Sequence, residues 1–469
     1  MSTGAWGSHV ARHVGLALLL GLAACGGGSS GNDNSHTFDL PAGTAFDTTP
    51  SNQMLLVVEA KNQCRDSVSC IATPLPSPTP GPAGGGCDTG SGNSRGLALY
   101  RLGTNGLFLE NPAQPGTALP AEQIIATADN PRRVKVSQTD PTLLFVATNE
   151  RIQVFKLLPG GGSRCIAQTK TEQESDKNAS KDLDPVDFAL DPTIGNGILY
   201  VAGRGSNRID AYPIADDGTI ANEPTNCVIG SNNSEYTSLS LLSRDFVAAS
   251  GRSEVQVFRR VDGLFPPPTP APSATPTPGS TPGCFGGQLV TIPVSSIGAA
   301  IVNDTFFSPS QTAPIGELFL SEEVSDKLFT FNIDPSGTIG SKETSSTKQD
   351  GFYQNLLRRD RPNGSFIYAS VFQEGKVAVF QLENNLLPDF PLSKTAQDPK
   401  TLPVGLAVDE PSGTLLYVAE AGVGRIDAFR IHPDGTLDRE PVSSTAPVTT
   451  VDGRTIDSFP NDIAIIPAP

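Results

Sequence analysis

The sequence predicts an all-β protein that is built from seven copies of one repeat. Its 469 residues include 47 glycines and 41 prolines, and without a long helical periodicity this composition favours many short strands and turns. One tetrad recurs seven times: an apolar residue, any residue, an apolar or small residue, and an aromatic one. Such alternation is typical of a half-buried strand. The tetrads are residues 97–100, 152–155, 209–212, 255–258, 328–331, 377–380 and 426–429.

Each tetrad lies within a longer repeat that predicts four strands. The aromatic residues that end the tetrads are 55, 57, 46, 73, 49 and 49 residues apart. A second strand precedes each tetrad, as in Tyr417-Val418-Ala419, and an innermost strand precedes that one, as in 404–408. After most tetrads comes a turn such as Asp434-Gly435, which supplies the positive φ of a tight hairpin. Four strands in each of seven repeats predict a seven-bladed β-propeller with four-stranded blades.

The two ends of the repeat region are complementary. Residues 460–466 have the pattern of an innermost strand with no repeat after it, whereas the first repeat begins near Met54 and lacks that strand. We therefore expect the C-terminal strand to complete the first blade, so that the propeller at 50–467 closes without exposed edges. The alternative is two open β-domains, but seven tetrads in phase disfavour it.

Two insertions lengthen the repeats. Residues 266–283 are a Pro/Thr run, and residues 64–95 contain prolines, a glycine run and three cysteines. Proline runs prefer extended polyproline II and act as loops or spacers. Both insertions are therefore expected at the surface, where disulfides could pin them.

Residues 1–24 have the layout of a bacterial export signal. Arg12 is followed by an apolar run from Val14 to Ala24, and no acidic residue is present. The run is too short for a comfortable transmembrane helix, and it ends in Leu22-Ala23-Ala24-Cys25, which resembles the lipobox of bacterial lipoproteins. The alternative is an ordinary signal peptide followed by a chance cysteine.

The lipobox resemblance implies that Cys25 is acylated and becomes the first mature residue. We expect residues 25–49 to be a lipid-bearing cysteine and a flexible tether, because a Gly/Ser/Asn run follows Cys25. The protein would then be anchored to a membrane of the cell envelope through Cys25. Gly26 is not an aspartate, so no inner-membrane retention signal is evident, and we expect the outer membrane, on its periplasmic or surface face.

Charge and cysteine content limit the partners. The formal net charge of −16 disfavours nucleic acid and direct adhesion to anionic lipid. Six cysteines remain besides Cys25, and in an oxidising compartment they could form up to three disulfides, with 15 possible connectivities. A metal site is the rival interpretation, but no Cys-x-x-Cys pair is present, and we expect neither metal nor cofactor. The six cysteines are Cys64, Cys70, Cys87, Cys165, Cys227 and Cys284.

The repeats resemble the Tyr-Val-Thr-Asn β-propeller repeats and the seven-bladed lactonase family. Residues 403–409, 413–419 and 424–429 carry the resemblance, and 185–220 is a similar run. It covers roughly residues 50–467 and concerns strand-forming residues, so it is specific for fold rather than for activity. The family includes enzymes that resemble 6-phosphogluconolactonase, which implies a carboxylic ester hydrolase that opens a lactone ring.

Lactone hydrolysis needs a base that activates water and donors that stabilise an oxyanion. The loops that lead into innermost strands and those that join second to third strands share one face of a propeller, near the axis. Charged residues in these loops include Arg133, Glu374 and Glu420, and the only histidine of the propeller, His432, is predicted on the opposite face. The candidates are Asp187 or Glu150 as base, Arg132 and Arg204 for an anionic group, and Gln354 and Asn461 as further ligand-binding residues.

Three functions fit these observations. The first is a binding or scaffold lipoprotein whose propeller engages an envelope protein, a glycan or a small molecule. The second is a lactonase-like hydrolase that acts on an exported substrate. The third is a Ca²⁺-stabilised structural protein with acidic loops such as 321–323, but no EF-hand spacing supports it. We favour the first, because the sequence offers no positive sign of catalysis such as a histidine acid or base.

Overall fold

The computed structural model describes the repeat region of the chain with gaps. The predicted signal peptide 1–24, Cys25, most of the tether, and nearly all of both insertions lie outside the described residues. None of the described residues belongs to a helix that is long and apolar enough to cross a membrane. The described residues are 45–59, 87, 96–127, 131–148, 151–159, 162–169, 185–203, 208–230, 236–243, 245–251, 254–266, 285–286, 288–293, 316–322, 327–333, 345–348, 352–384, 386–409, 412–445, 450–451, 454–455 and 460–467.

The regular elements of this part of the chain are strands, numbered in chain order. They are β1 (Pro50–Glu59), β2 (Gly96–Gly103), β3 (Gln123–Ala126), β4 (Pro131–Val136), β5 (Leu143–Thr148), β6 (Ile152–Leu157), β7 (Ser163–Gln168), β8 (Pro185–Asp191), β9 (Ile198–Gly203), β10 (Arg208–Pro213), β11 (Asn226–Ile229), β12 (Tyr236–Ser243), β13 (Phe246–Gly251), β14 (Glu254–Arg259), β15 (Phe285–Gly286), β16 (Gln288–Pro293), β17 (Gly316–Glu322), β18 (Lys327–Ile333), β19 (Ser345–Ser346), β20 (Tyr353–Arg361), β21 (Gly364–Val371), β22 (Lys376–Gln381), β23 (Ser393–Lys394), β24 (Pro403–Val408), β25 (Leu415–Glu420), β26 (Arg425–Arg430), β27 (Ser443–Ser444), β28 (Thr450–Val451), β29 (Arg454–Thr455) and β30 (Pro460–Ile466).

The strands form a series of small sheets, which we number 1 to 7 in chain order. Their strand orders are β3-β2-β1-β30, β4-β5-β6-β7, β15-β11-β10-β9-β8, β12-β13-β14-β16, β17-β18-β19, β20-β21-β22-β23 and β24-β25-β26-β27, and β28-β29 is a separate ribbon. All neighbours pair in antiparallel fashion except β15, which joins β11 in parallel. The architecture is that of a β-propeller with four-stranded blades.

The number of complete blades differs from the prediction. Six sheets have four or more strands, whereas the repeats predict seven such blades. Sheet 5 has three strands among the described residues, and residues 294–315, directly before β17, are not among those residues. The observed count is therefore six sheets of four or more strands and one three-stranded sheet.

The hydrophobic core lies between neighbouring sheets. Phe145 of β5 packs in one cluster with Phe188 of β8, and Phe319 of β17 packs with Ile367 of β21. Strands β5, β9 and β25 are buried at every position. The tetrads 152–155, 209–212 and 426–429 are also buried at all four positions, although their alternation predicts half-buried strands. Sheets that stack face to face cover both faces of these strands, and each fully buried large apolar side chain contributes about 1.5–3 kcal/mol.

Tyrosines of the second strands connect sheets through a repeated hydrogen bond. The phenol donates to the carbonyl of a glycine in the hairpin that follows the third strand of the next sheet. These glycines have φ values of 77 to 82°, a conformation that glycine adopts without strain. The pairs are Tyr200 with Gly263, Tyr368 with Gly435 at 3.0 Å, and Tyr417 with Gly106 at 2.6 Å.

The last strand pairs with the first. In the antiparallel register of β30 and β1, Val57 lies opposite Ile463 and Met54 opposite Ile466. On its other side, β30 approaches β24 closely, since a Cβ at Gly405 would lie 2.9 Å from the Asp462 Cα. Sheet 1 therefore contains the two ends of the repeat region and packs against sheet 7.

One disulfide connects the first insertion to the next sheet. Cys87 is bonded to Cys165 on the outermost strand β7, which agrees with the expectation that disulfides pin this insertion. Cys227 is also disulfide-bonded. Cys64, Cys70 and Cys284 lie outside the described residues.

Candidate functional site

The innermost strands begin at a β-bulge that coincides with several of the predicted site residues. The register of β4 passes from Pro131 to Arg133, so that Arg132 is the extra residue. Asn461 of β30 and Gln354 of β20 occupy the same position in their strands. Bulges re-aim side chains at the ends of sheets, and they are frequent beside functional sites. Three of the predicted ligand-binding residues are thus equivalent positions around the axis.

The residue after each bulge is polar in most of the innermost strands. These residues form a set around the axial end of the sheets, and three of them carry a charge. In the order of sheets 1, 2, 3, 4, 6 and 7 they are Asp462, Arg133, Asp187, Ser238, Asn355 and Gly405.

Arg133 lies between the two carboxylates of this set. Its Nη1 is 3.6 Å from Asp462 Oδ1. Burial opposes the charge of the guanidinium, but the charges of Asp462 and Asp187 outweigh burial, and the pKa of Arg133 is raised. Burial also raises the pKa of Asp462, which Arg133 only partly offsets. The arrangement is a three-residue ion cluster that spans sheets 1, 2 and 3.

Backbone amides of the following sheets bind the two carboxylates. Asp462 Oδ2 accepts a hydrogen bond from Val134 N at 3.0 Å. Asp187 Oδ2 accepts one from Leu239 N at 2.9 Å, and its Oδ1 accepts one from Phe188 N at 2.9 Å. Each aspartate thereby links its innermost strand to that of a neighbouring sheet. These oxygens are committed to the junctions between sheets, whereas a general base must contact the water that it activates.

The structure places some of the other predicted site residues, and the rest lie outside the described residues. Asn461 Nδ2 donates to the Arg132 carbonyl at 3.1 Å, which brings these two candidates together. Gln354 is half-buried at its bulge. Glu150 and Arg204 lie outside the described residues. His432 lies in the hairpin after β26, where its Nε2 is 2.8 Å from Asp438 Oδ1.

Glu420 is a buried carboxyl to which the sequence assigned no role. It ends β25 opposite Pro403, at the axial end of sheet 7, and it is 4% exposed. Burial, together with the nearby Asp427 carboxylate, raises the pKa of Glu420 to about 8. Asp427 is itself bound by Arg425, with N–O distances of 2.9 and 3.0 Å. Sheet 3 has the same Arg-Ile-Asp-Ala run at 208–211, but Gly203 stands where sheet 7 has Glu420. This difference between two similar repeats is the feature of the sequence that could have identified Glu420.

The described residues contain no group of three or more histidine, cysteine, aspartate or glutamate side chains that could hold a metal ion. Charged groups on the axial face nevertheless offer two kinds of chemistry. The guanidinium groups of Arg132 and Arg133 can bind an anion, and the buried Glu420 carboxyl can exchange a proton near neutral pH.

No family model and no curated protein matches this chain. Solved structures do match it. The periplasmic gluconolactonase PpgL of Pseudomonas aeruginosa has a TM-score of 0.56 and 14% identity over 89% of this chain and 100% of that one. A Bacteroides fragilis protein provisionally assigned as a 6-phosphogluconolactonase has a TM-score of 0.54 and 14% identity over 88% and 98%. A Lactobacillus plantarum protein has values of 0.55 and 14% over 88% and 99%. The neighbours are lactonase-like propellers, and at this identity the likeness shows the fold.

Proposed function

We propose that this chain is an exported, lipid-anchored β-propeller that binds a polar ligand at its axial face and does not hydrolyse it. The observation that carries the proposal is the repeated bulge, which places Arg132, Gln354 and Asn461 at equivalent positions around the axis. A rigid scaffold with polar groups fixed at one end is well suited to binding. The ligand would be an envelope glycan, a small molecule or a segment of an envelope protein.

The proposed ring has seven blades, with sheet 5 in the fifth position. Hydrophobic clusters on both sides of sheet 5 support this count: Phe331 packs with Phe246 of sheet 4, and Phe319 packs with Ile367 of sheet 6. The pairing of β30 with β1 supports closure through the first blade. The hydrogen bond from Tyr417 to Gly106, which joins sheet 7 to sheet 1, supports it too.

The export signal and the lipobox at residues 22–25 support anchoring through Cys25 in the cell envelope, with the outer membrane as the proposed location. One acyl chain alone binds a bilayer marginally, so stable anchoring requires more than one. The charge of −16 would keep the propeller itself away from anionic lipid surfaces.

Binding is favoured over catalysis by the state of the axial carboxylates. Asp187, the predicted base, accepts backbone hydrogen bonds at both oxygens. Asp462 is held by Arg133 and by the Val134 amide. These contacts stabilise the junctions between blades and occupy carboxylate oxygens that a general base would need to hold a water.

The second candidate is a lactonase-like hydrolase. The fold likeness favours it, and so do two carboxyls on the axial side, Glu420 and Asp462, whose pKa values are raised by burial. Perturbed carboxyls of this kind are frequent in active sites. In this candidate function, one of them would activate water and Arg133 would stabilise the oxyanion.

The test is calorimetric titration of the full-length chain in detergent with aldonolactones and aldonic acids, together with lactone ring opening in a pH-stat. Binding without turnover, weakened in Gln354→Ala and Asn461→Ala, supports the proposal. Asn196→Ala is the matched control, because Asn196 is exposed in the β8–β9 hairpin at the opposite end of its sheet. Turnover that is lost in Glu420→Gln or Asp187→Asn would replace the proposal with the hydrolase.

A further inference from the structure

A basic cleft lies at the outer edge of the junction between sheets 6 and 7. It has a volume of about 470 Å³, and its lining includes Lys376, Leu392, Lys394, Thr395, Gln397 and Arg439. Lys376 begins β22, Lys394 belongs to the outermost strand β23, and Arg439 lies between β26 and β27. The lining contains no residue of the innermost strands β20 and β24, so the cleft is distinct from the bulge residues of the proposed axial site.

The walls of the cleft are held by hydrogen bonds between the two sheets and within sheet 6. Ala396 N donates to the Arg439 carbonyl at 2.7 Å, which joins the end of sheet 6 to sheet 7. Thr395 Oγ1 accepts a hydrogen bond from Val377 N at 2.9 Å. The cations are thus presented by ordered backbone rather than by a free loop, so little ordering would be needed when a ligand binds.

The cleft concentrates positive charge in a chain whose net charge is −16. Lys376 is 7% exposed and its amine pairs with the Glu374 carboxylate. Burial lowers the pKa of Lys376, and the positive charge of Lys394 lowers it further. Lys394 and Arg439 line the same cleft, and an anion bound between them would be attracted by both charges.

We propose that this cleft binds a small oxyanion, the carboxylate or phosphate group of a sugar-sized molecule. Lys394 and Arg439 would hold the anionic group, since charge-assisted hydrogen bonds from lysine and arginine are the strong contacts to carboxylate and phosphate. The Gln397 amide would meet hydroxyl groups, and Leu392, which is 46% exposed, would cover the apolar face of a sugar ring. The volume falls within the range of about 300–1,000 Å³ that is usual for small-molecule sites.

The test is isothermal titration calorimetry of the full-length chain in detergent with inorganic phosphate, glucose 6-phosphate and glucuronate, and with glucose as the neutral probe. We expect saturable binding of at least one anion and none of glucose. Lys394→Ala and Arg439→Ala should each weaken binding about tenfold or more, because each removes a charge-assisted contact. Arg259→Ala is the matched control, since Arg259 is an exposed arginine of sheet 4, and it should leave the affinity unchanged.

Two further arms define the ligand and the site. Phosphate-only or glucuronate-only binding would identify the preferred oxyanion, and either supports the proposal. Raising NaCl from about 0.02 M to about 0.2 M should weaken binding, because salt screens the cations. The axial variant Gln354→Ala should bind the anions with the same affinity as the wild type. The absence of saturable binding by all three anions, or equal affinity in wild type and Arg439→Ala, would overturn the proposal.

Discussion

Replacing Glu420 with glutamine should remove a large part of the alkaline sensitivity of the fold. The Glu420 carboxyl is buried beside Asp427, and its pKa is raised to about 8, whereas an unfolded chain holds a glutamate near its ordinary value of about 4.3. Between these values the folded chain keeps the proton and the unfolded chain releases it. The free energy of unfolding therefore falls as the pH rises through this range.

The magnitude follows from the difference between the two pKa values. Each pH unit between them changes the free energy of unfolding by about 1.4 kcal/mol, so the wild type should lose about 2–3 kcal/mol relative to Glu420→Gln between about pH 6 and pH 8. Below about pH 4 the side chain is neutral in both folded and unfolded chains, and the two proteins should differ little. Glutamine keeps the size of the side chain and carries no proton that titrates.

The assay is urea unfolding at a series of pH values, followed by far-ultraviolet circular dichroism. Tryptophan fluorescence is unsuitable, because the single tryptophan is Trp6 in the predicted export signal. Glu383→Gln is the control, since Glu383 is exposed and should leave the pH dependence unchanged. A Glu420→Gln chain that loses stability with pH as steeply as the wild type would refute the assignment of a buried, protonated Glu420.

Three further predictions concern stability, each measured by urea unfolding. Arg260 pairs with Asp191 at 2.7 Å, and both side chains are fully buried. Arg260→Met should therefore lower the free energy of unfolding by about 3–5 kcal/mol, whereas Arg259→Ala, at an exposed position, should leave it unchanged. Equal effects of the two substitutions would contradict the buried pair. Tyr417→Phe leaves the buried Gly106 carbonyl without its hydrogen-bond donor and should lower the free energy of unfolding by about 1–3 kcal/mol. An unchanged free energy of unfolding would contradict a contribution of this hydrogen bond to the junction of sheets 7 and 1. The disulfide of Cys165 closes a separation of 78 residues, so its reduction should cost about 2–4 kcal/mol. The reductant should destabilise Cys165→Ala by about that much less than the wild type, because only the disulfide of Cys227 is then common to both; equal losses would contradict this contribution.

Much of the fold could be predicted because its signals are local. Each tetrad specifies one buried strand, and hairpins such as Asp434-Gly435 fix where the next strand starts. The same local regularity explains why Arg132, Gln354 and Asn461 occupy equivalent bulge positions, whereas their role in ligand binding stays a prediction. The fifth repeat is the exception, because its sheet shows three strands among the described residues.

The contacts between sheets could not be predicted, because they depend on register and on distant partners. Arg132 and Arg133 are adjacent and chemically identical, and only the bulge decides that Arg133 meets Asp462 and Asp187; a shift of one residue reverses the face of a strand. Lys376 and Arg439 are 63 positions apart in the numbering, so their shared cleft is visible only once sheets 6 and 7 are packed.

Ligand binding without hydrolysis at the axial face is the proposal on which the function of this propeller rests. It is tested by the initial rate of ring opening of aldono-, aryl- and acyl-homoserine lactones by the full-length chain, followed by pH-stat. We expect rates equal to those of buffer alone for the whole panel. A rate well above buffer that disappears in Asp187→Asn would refute the proposal and would make this propeller a lactonase.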